Sequence, residues 1–149
     1  MATGENNIGT GRSALVGGRS NKQQGDYGLT IGRNNIGGYC GILYGQYCSN
    51  LGEFAAAGGY NSNAKAIAST ALGGWLTADS PFMTAVGIGN LPISQLNLSE
   101  NENPLFVVGN GVRNYDSNGK YKNITKSNIL TITNNKVIID GDLVVNNRI

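Results

Sequence analysis

Histidine is absent from the 149-residue sequence, and charged side chains make up only 13% of it. Without histidine there can be no Ser/His/Asp triad, no Cys/His pair and no His-ligated zinc or haem. No apolar run approaches the roughly 20 residues that a membrane-spanning helix needs. The net charge of +2 is too small and too evenly spread to indicate nucleic acid or an anionic membrane as a partner. These absences favour a non-enzymatic protein with no cofactor, no metal and no membrane insertion.

Cysteine is also scarce, and the N-terminus carries no visible targeting signal. The run 1–7 lacks the charged-then-apolar order of a secretory signal, so we expect the chain to begin in a cytosol. Cys40 and Cys48 fit a reducing compartment, with a disulfide between them as the alternative. We expect Cys40 to be a reduced core thiol in one buried column with Tyr27 and Phe54.

Glycine and asparagine are abundant, with 23 and 21 copies, which predicts many tight turns and little helix. They separate the units of a repeat. Each unit contains a short apolar run that ends at one recurring position, which we call the closing position, and successive closing positions are 14, 13, 14, 15 and 14 residues apart. The closing positions are Gly18, Gly32, Gly45, Gly59, Gly74 and Ile88. A second glycine column is predicted at Gly11, Gly25, Gly38 and Gly52, followed by Ile67 and Pro81. The period is too short for helical hairpins or propeller blades and predicts a β-solenoid of about six coils.

Side chains alternate between the two faces of each predicted strand, and neither face carries charge. That pattern is typical of strands buried on both sides. A thin solenoid has only one interior, so the second face predicts a partner, most simply other copies of the chain. A monomer with a mildly apolar surface is the alternative. One face is predicted to carry Ala14/Val16, Gly28/Thr30, Gly41/Leu43, Ala55/Ala57, Thr70/Leu72 and Thr84/Val86. The other is predicted to carry Ser13/Leu15, Tyr27/Leu29, Cys40/Ile42, Phe54/Ala56, Ser69/Ala71 and Met83/Ala85.

The repeat ends near Leu91, which divides the chain into a β-solenoid domain, 1–91, and a β-rich C-terminal segment, 92–149. A linker to Asn103 opens the second segment. Its predicted strands are 105–108, 129–132, 136–139 and 143–145, with turns at 109–111, 115–120, 134–135 and 140–142. No helix is expected.

Several segments resemble known repeat families. Ser69–Gly73 (STALG) and Met83–Gly87 (MTAVG) resemble the S-x-A-[IVL]-G repeats of trimeric autotransporter adhesin heads. The earlier coils, with their Gly-Asp-Tyr and Gly-Glu-Phe triplets at 25–27 and 52–54, resemble a related repeat of bacterial surface proteins and phage tail-fibre or head-fibre proteins. The run 103–111 resembles a segment that follows such repeats in phage fibres, and 137–145 resembles their G-x-L-x-V shaft strands.

The resemblance touches residues 8 to 145 and implies a fold and an assembly. The implied fold is an all-β, left-handed parallel β-roll, with three chains side by side around a shared apolar centre. The long stalk, membrane anchor and secretion signal of autotransporters are not found in this sequence. Their absence favours a virion fibre over a cell-surface adhesin.

Motifs for catalysis or metal binding are weak. The glycine pairs at 9–11 and 109–111 complete neither a dinucleotide fingerprint nor a phosphate loop. Asp140 and Asp142 are close in sequence, but capping of turns by aspartate explains them. A sugar-cleaving spike with paired carboxylates is therefore the weakest hypothesis. No catalytic, cofactor-binding or metal-binding residue is assigned.

One column of aromatic and basic residues is the candidate ligand contact. Tyr60 and Trp75 each follow a closing position of the repeat, and Arg19, Arg33 and Gln46 hold the same position in earlier coils. Guanidinium groups and aromatic rings stack well. Arg19, Arg33, Tyr60 and Trp75 are therefore expected either to stabilise an outer corner by packing or to contact a ligand.

The sequence thus predicts a non-enzymatic, homotrimeric fibre protein of a bacteriophage tail or head, a rigid spacer or knob in the virion that is assembled in the host cytoplasm. The expected partners are two further copies, other virion proteins (capsid, portal or tail) and a host-surface glycan or protein. The alternative is a trimeric adhesin head on a bacterial cell surface that binds a host receptor or glycan.

Overall fold

The structure is a computed structural model and describes residues 1–142. Those residues form 18 strands, a single short 3₁₀ turn at Ile93–Gln95 and no α-helix. The all-β prediction is confirmed. The strand predicted at 143–145 lies outside the described residues.

Residues 2–88 build a β-solenoid in which each coil contains one long strand and one two-residue strand. The strands are β1 (Ala2–Glu5), β2 (Ile8–Gly9), β3 (Leu15–Arg19), β4 (Lys22–Gln23), β5 (Leu29–Arg33), β6 (Ile36–Gly37), β7 (Ile42–Gln46), β8 (Ser49–Asn50), β9 (Ala56–Tyr60), β10 (Asn63–Ala64), β11 (Thr70–Gly74), β12 (Thr77–Ala78) and β13 (Thr84–Ile88). The long strands pair in parallel as β1-β3-β5-β7-β9-β11-β13, and the short strands form a second parallel sheet. The predicted solenoid of about six coils is confirmed.

The register between coils differs from the predicted one in the last two units. Gly59 pairs with Gly73, and Gly73 pairs with Gly87, so the predicted spacing of 15 residues to Gly74 is wrong. The physical reason is backbone conformation, because these three glycines have φ values of 103°, 146° and 97°. A Cβ added at Gly59 or Gly73 would also strike the carbonyl of the next coil. Gly74, which a repeat pattern cannot distinguish from Gly73, is an ordinary strand residue.

A one-residue slip turns every side chain of a strand to the opposite face. Ser69 and Ala71 therefore point into the solenoid, as do Met83 and Ala85, and all four are buried. Thr70/Leu72 and Thr84/Val86, which were predicted to share a face with Ala14/Val16 and Ala55/Ala57, lie on the opposite, outer face instead. The same slip affects the second glycine column, where Ala66 and Ser80 continue the series rather than Ile67 and Pro81.

A ladder of asparagines holds the turn after each long strand in the early coils. The amide of Asn21 donates to the carbonyls of Gly17 (2.8 Å) and Gly32 (2.7 Å), and its Oδ1 accepts from the backbone N–H of Asn35 (3.1 Å). Asn35 repeats this pattern one coil later and accepts from the N–H of Cys48 (2.9 Å). Each side chain thus satisfies backbone groups of two coils.

Both cysteines are free, but their environments reverse the prediction. Cys48 is 2% exposed and continues the asparagine column, and burial raises the pKa of its thiol. Cys40 is exposed, as are Tyr27 (61%) and Phe54 (63%). These three residues have φ between 49° and 57°, a left-handed turn that points their side chains away from the core.

The outer face of the long-strand sheet is apolar and open to solvent. Two of its columns carry no charged residue from β3 to β13. They are Leu15, Leu29, Ile42, Ala56, Thr70, Thr84 and Gly17, Ile31, Tyr44, Gly58, Leu72, Val86. Leu15, Ile31 and Ile42 are between 42% and 54% exposed.

The C-terminal segment continues the sheet of the solenoid. Its strands are β14 (Pro104–Asn110), β15 (Val112–Tyr115), β16 (Tyr121–Thr125), β17 (Asn128–Thr133) and β18 (Val137–Ile139). β14 pairs in parallel with β13, and β17 and β18 follow as antiparallel strands. β15 and β16 form a separate hairpin that was not predicted, because only its polar turn was recognised in the sequence.

Candidate functional site

An aromatic groove lies where the β15–β16 hairpin meets a corner of the solenoid. Tyr60, Trp75, Arg113, Tyr115 and Tyr121 line it, and its volume is about 380 Å³. Trp75 is half-buried, whereas the other four side chains are exposed. We call these five residues the aromatic groove.

Two rings of the groove come from neighbouring coils. Tyr60 is the last residue of β9, and Trp75 follows β11 in a left-handed turn with φ of 54°. Their ring centroids are 4.8 Å apart with the planes at 59°, and Tyr47 extends the row with an edge contact of 5.9 Å to Tyr60. The coil spacing of about 4.8 Å along the stack brings such side chains within reach of each other. The row is therefore a direct product of the repeat.

The other three side chains come from the hairpin. Tyr115 and Tyr121 are cross-strand partners, with centroids 6.3 Å apart in an edge-to-face arrangement. Tyr121 also stacks on Trp75, with 5.6 Å between centroids and 28° between planes. The Cζ of Arg113 lies 4.4 Å from the Trp75 ring centroid, within the range of a cation–π contact. Trp75 thus contacts residues from both sides of the groove.

Close backbone contacts fix the hairpin on the solenoid. The N–H of Gly111 donates to the carbonyl of Ile88 (2.6 Å), and the N–H of Ser127 donates to the carbonyl of Gly89 (2.9 Å). A Cβ added at Gly89 would lie 2.6 Å from Cδ1 of Ile124 on β16, and φ there is 56°. Glycine at position 89 therefore allows the hairpin to approach the coil.

The structure corrects the predicted column of ligand contacts at one position. Arg19, Arg33, Gln46 and Tyr60 are successive partners in one column, but the next partner of Tyr60 is Gly74. Trp75 belongs to the adjacent turn column, and its ring nevertheless reaches Tyr60. Arg19 pairs with Glu5 at 3.4 Å, and neither Arg19 nor Arg33 lines the groove.

Sequence reasoning missed Arg113, Tyr115 and Tyr121. A signal was present, because tyrosines flank the polar turn 116–120 symmetrically, as cross-strand partners in a hairpin do. Nothing in the local sequence indicates that this hairpin folds back onto Trp75. That contact depends on the course of residues 89–111.

Arg113 is the one charged residue among the described residues that line the groove. Across residues 1–142, Arg113 makes no ion pair, and the neighbouring carboxylate of Asp116 is engaged by the backbone N–H groups of Asn118 and Lys120, both at 2.9 Å. Lys120 and Lys122 are exposed on the same hairpin. The arrangement offers aromatic surfaces for stacking beside an unpaired guanidinium.

Residues 1–142 contain no cluster of three or more Cys, Asp and Glu side chains that could hold a metal ion. Within that range, no helix has the length and hydropathy of a membrane span.

Comparisons with family models, with curated proteins and with solved structures find no match to the chain.

Proposed function

We propose that the chain is a structural, non-enzymatic fibre protein that works as a homotrimer and serves as a rigid spacer or knob of a phage particle. The observation that carries the proposal is the pair of uncharged, largely apolar columns on the outer face of the long-strand sheet. An exposed apolar patch of this extent is typical of an interaction surface. A second copy that presents the same face is the simplest cover for it.

The left-handed corner beside this face supports the same conclusion. Tyr27, Phe54 and Phe82 have φ between 57° and 60°, and they are 61% to 69% exposed. Non-glycine residues with bulky side chains are uncommon in this conformation, which costs on the order of 1 kcal/mol or more. In one isolated chain these rings gain little burial in return. Contact with neighbouring copies would offset the strain.

The number of copies and the location in a virion rest on the resemblance of the repeats and of the C-terminal strands to phage fibre and adhesin-head proteins. The parallel stack of coils supports the role of a spacer, because each coil is tied to the next by backbone hydrogen bonds at nearly constant register. Such stacks are quasi-one-dimensional and extended.

Light scattering coupled to gel filtration tests the assembly. We expect a mass three times that of the 15.6 kDa chain at micromolar concentration. Ile31→Glu places a charge on the outer face and should reduce the mass to one chain. Ile36→Glu is the matched control, because Ile36 is equally exposed (44% against 46%) but lies on the short-strand sheet.

A wild-type mass of 15.6 kDa would contradict the proposal, as would dissociation by Ile36→Glu with Ile31→Glu unaffected. Gold-labelled antibody against the chain tests its location. Labelling of purified phage particles supports the fibre, and labelling of intact bacterial cells alone supports the adhesin head.

A further inference from the structure

We propose that the aromatic groove binds an acidic carbohydrate, with a sugar ring packed against its tyrosines and the sugar's carboxylate or phosphate held by Arg113. The groove is formed within one chain. Binding therefore does not require the trimer, and the inference goes beyond the proposed structural role.

The rings provide the stacking surface. Tyr115, Tyr121 and Tyr60 are 55%, 42% and 39% exposed, while Trp75 is covered in part by Tyr121 and Arg113. Tyrosine combines an apolar ring face with a hydroxyl that donates and accepts hydrogen bonds. A sugar ring has the matching properties, with C–H groups on its faces and hydroxyls around its edge.

The walls of the groove are fixed before a ligand arrives. Tyr115 and Tyr121 lie on paired strands, and Trp75 packs against both Tyr60 and Tyr121. Backbone hydrogen bonds at Gly89 and Gly111 hold the hairpin against the solenoid. Pre-formed sites lose less entropy on binding than flexible ones. The volume of about 380 Å³ falls within the roughly 300–1,000 Å³ of small-molecule sites.

Charge selects the class of ligand. Aromatic cages commonly hold quaternary ammonium groups, but the Arg113 guanidinium 4.4 Å from the Trp75 centroid would repel a cation here. Guanidinium groups pair with carboxylates and phosphates through two parallel hydrogen bonds. Among the residues of 1–142 that line the groove, Arg113 is the one charged residue, so the groove favours an anion.

The tryptophan allows a direct test, because Trp75 is the sole tryptophan of the chain and lies in the groove. Its fluorescence can be titrated with 3′-sialyllactose and with the neutral lactose as matched probe. Glucose 6-phosphate and glucose form a second pair that separates phosphate from carboxylate. We expect at least one acidic probe to bind ten times more tightly than its neutral partner, and added salt to weaken that binding.

Two substitutions assign the effect to the groove. Arg113→Gln should abolish the preference for the acidic probe, whereas Arg33→Gln, an exposed arginine outside the groove, should leave it unchanged. Tyr115→Ala should weaken acidic and neutral probes alike. Arg113 and Tyr115 are exposed, so the folded state of each variant can be verified by an unchanged elution volume and melting temperature.

Three results would overturn the proposal: no response to any sugar, equal binding of acidic and neutral probes, or an unchanged preference in Arg113→Gln. A stronger response to oligo(dT) or to a proline-rich peptide would assign the groove to nucleic acid or to protein instead. Failure of the trimer leaves these titrations interpretable, because the groove belongs to one chain.

Discussion

The early and late coils of the solenoid follow the same backbone path around different interiors. Between β3 and β8 the buried side chains include Asn21, Gln23, Thr30, Asn35 and Asn50. Between β10 and β14 the largest fully buried side chains are Leu76, Met83 and Val107. Leu43 and Val16 are also buried in the early coils and Asn90 in the late ones, so the first interior is mainly a hydrogen-bonded network and the second is mainly apolar.

The comparison shows that the coil geometry does not dictate the chemistry of its interior. What both regions share is the left-handed glycine of each turn, whose neighbour one coil away leaves no room for a Cβ. One column of buried side chains lies at the turn after each long strand. It holds Asn21 and Asn35 in the early coils and Cys48, Ser62 and Leu76 in the later ones. Ser62 still donates to the carbonyl of Gly73 (3.1 Å), and one coil after Leu76 the buried Asn90 accepts from the N–H of Thr77 (2.7 Å), so polar side chains recur in this column.

The largest effect is expected from breaking the apolar interior. Leu76→Ala removes a fully buried side chain and should lower the free energy of unfolding by about 3 kcal/mol, from lost burial and the cavity that remains. Denaturant titration measures the change. Leu51→Ala, at an exposed leucine (58%), is the control and should stay within about 0.5 kcal/mol of wild type. Equal losses at both positions would show that the apolar interior is not packed as described.

The second prediction concerns the polar interior. Asn35→Ala leaves the carbonyls of Ile31 and Gly45 and the N–H of Cys48 without their partner, and should cost about 2 kcal/mol. Asn118→Ala, in the exposed turn of the hairpin, is the matched control with little expected change. If Asn35→Ala were as stable as wild type, the ladder would not contribute to the stability of the early coils.

The smallest effect is expected from pH, through Glu102 in the C-terminal segment and through Asp26 in the early coils, where hydrogen bonds from Arg12 lower the pKa of the carboxyl. Hydrogen bonds from the backbone N–H of Ser99 (3.0 Å) and from Lys136 (2.9 Å) hold the pKa of Glu102 below its ordinary value. Because the folded state favours the ionised form, this carboxylate contributes stability above about pH 4.5, and the contribution is lost as pH falls through the lowered pKa.

Melting curves between pH 7 and pH 3 measure this effect, with Glu102→Gln as the comparison. On acidification, the melting temperature of the wild type should fall by more than that of Glu102→Gln. The amides of the early coils do not titrate in this range, so Asn35→Ala should retain the wild-type dependence on pH. Parallel curves for wild type and Glu102→Gln would show that the ion pair between Lys136 and Glu102 is not the source of the pH dependence.

The sequence contained enough to predict the coils but not their full register. The recurrence of glycine and apolar runs required turns and strands of fixed length, so the long strands β3, β5, β7 and β9 were located to within two residues, whereas the short strands between them were not located. At Gly73–Gly74, two identical residues offered two alignments, and only the left-handed φ at Gly73 distinguishes them. That single ambiguity reversed the predicted faces of β11 and β13.

Two of the five residues of the aromatic groove were predictable for the same reason. Tyr60 and Trp75 were identified because the repeat brings neighbouring coils together. Arg113, Tyr115 and Tyr121 reach Trp75 only after an irregular segment and one further strand, and no period relates them to the coils. Contacts that depend on the path of a long connection are not encoded in a local pattern.

The parallel stacking of coils has a mechanical consequence. The backbone hydrogen bonds between long strands run along the solenoid axis, so a force applied along that axis pulls directly on one coil's bonds at a time. Each detached coil of about 14 residues would release roughly 43 Å of chain, since an extended residue spans about 3.4 Å and a stacked coil only about 4.8 Å in total. A single chain stretched end to end should therefore lengthen in regular steps, and a force across the axis should meet the resistance of many coils together.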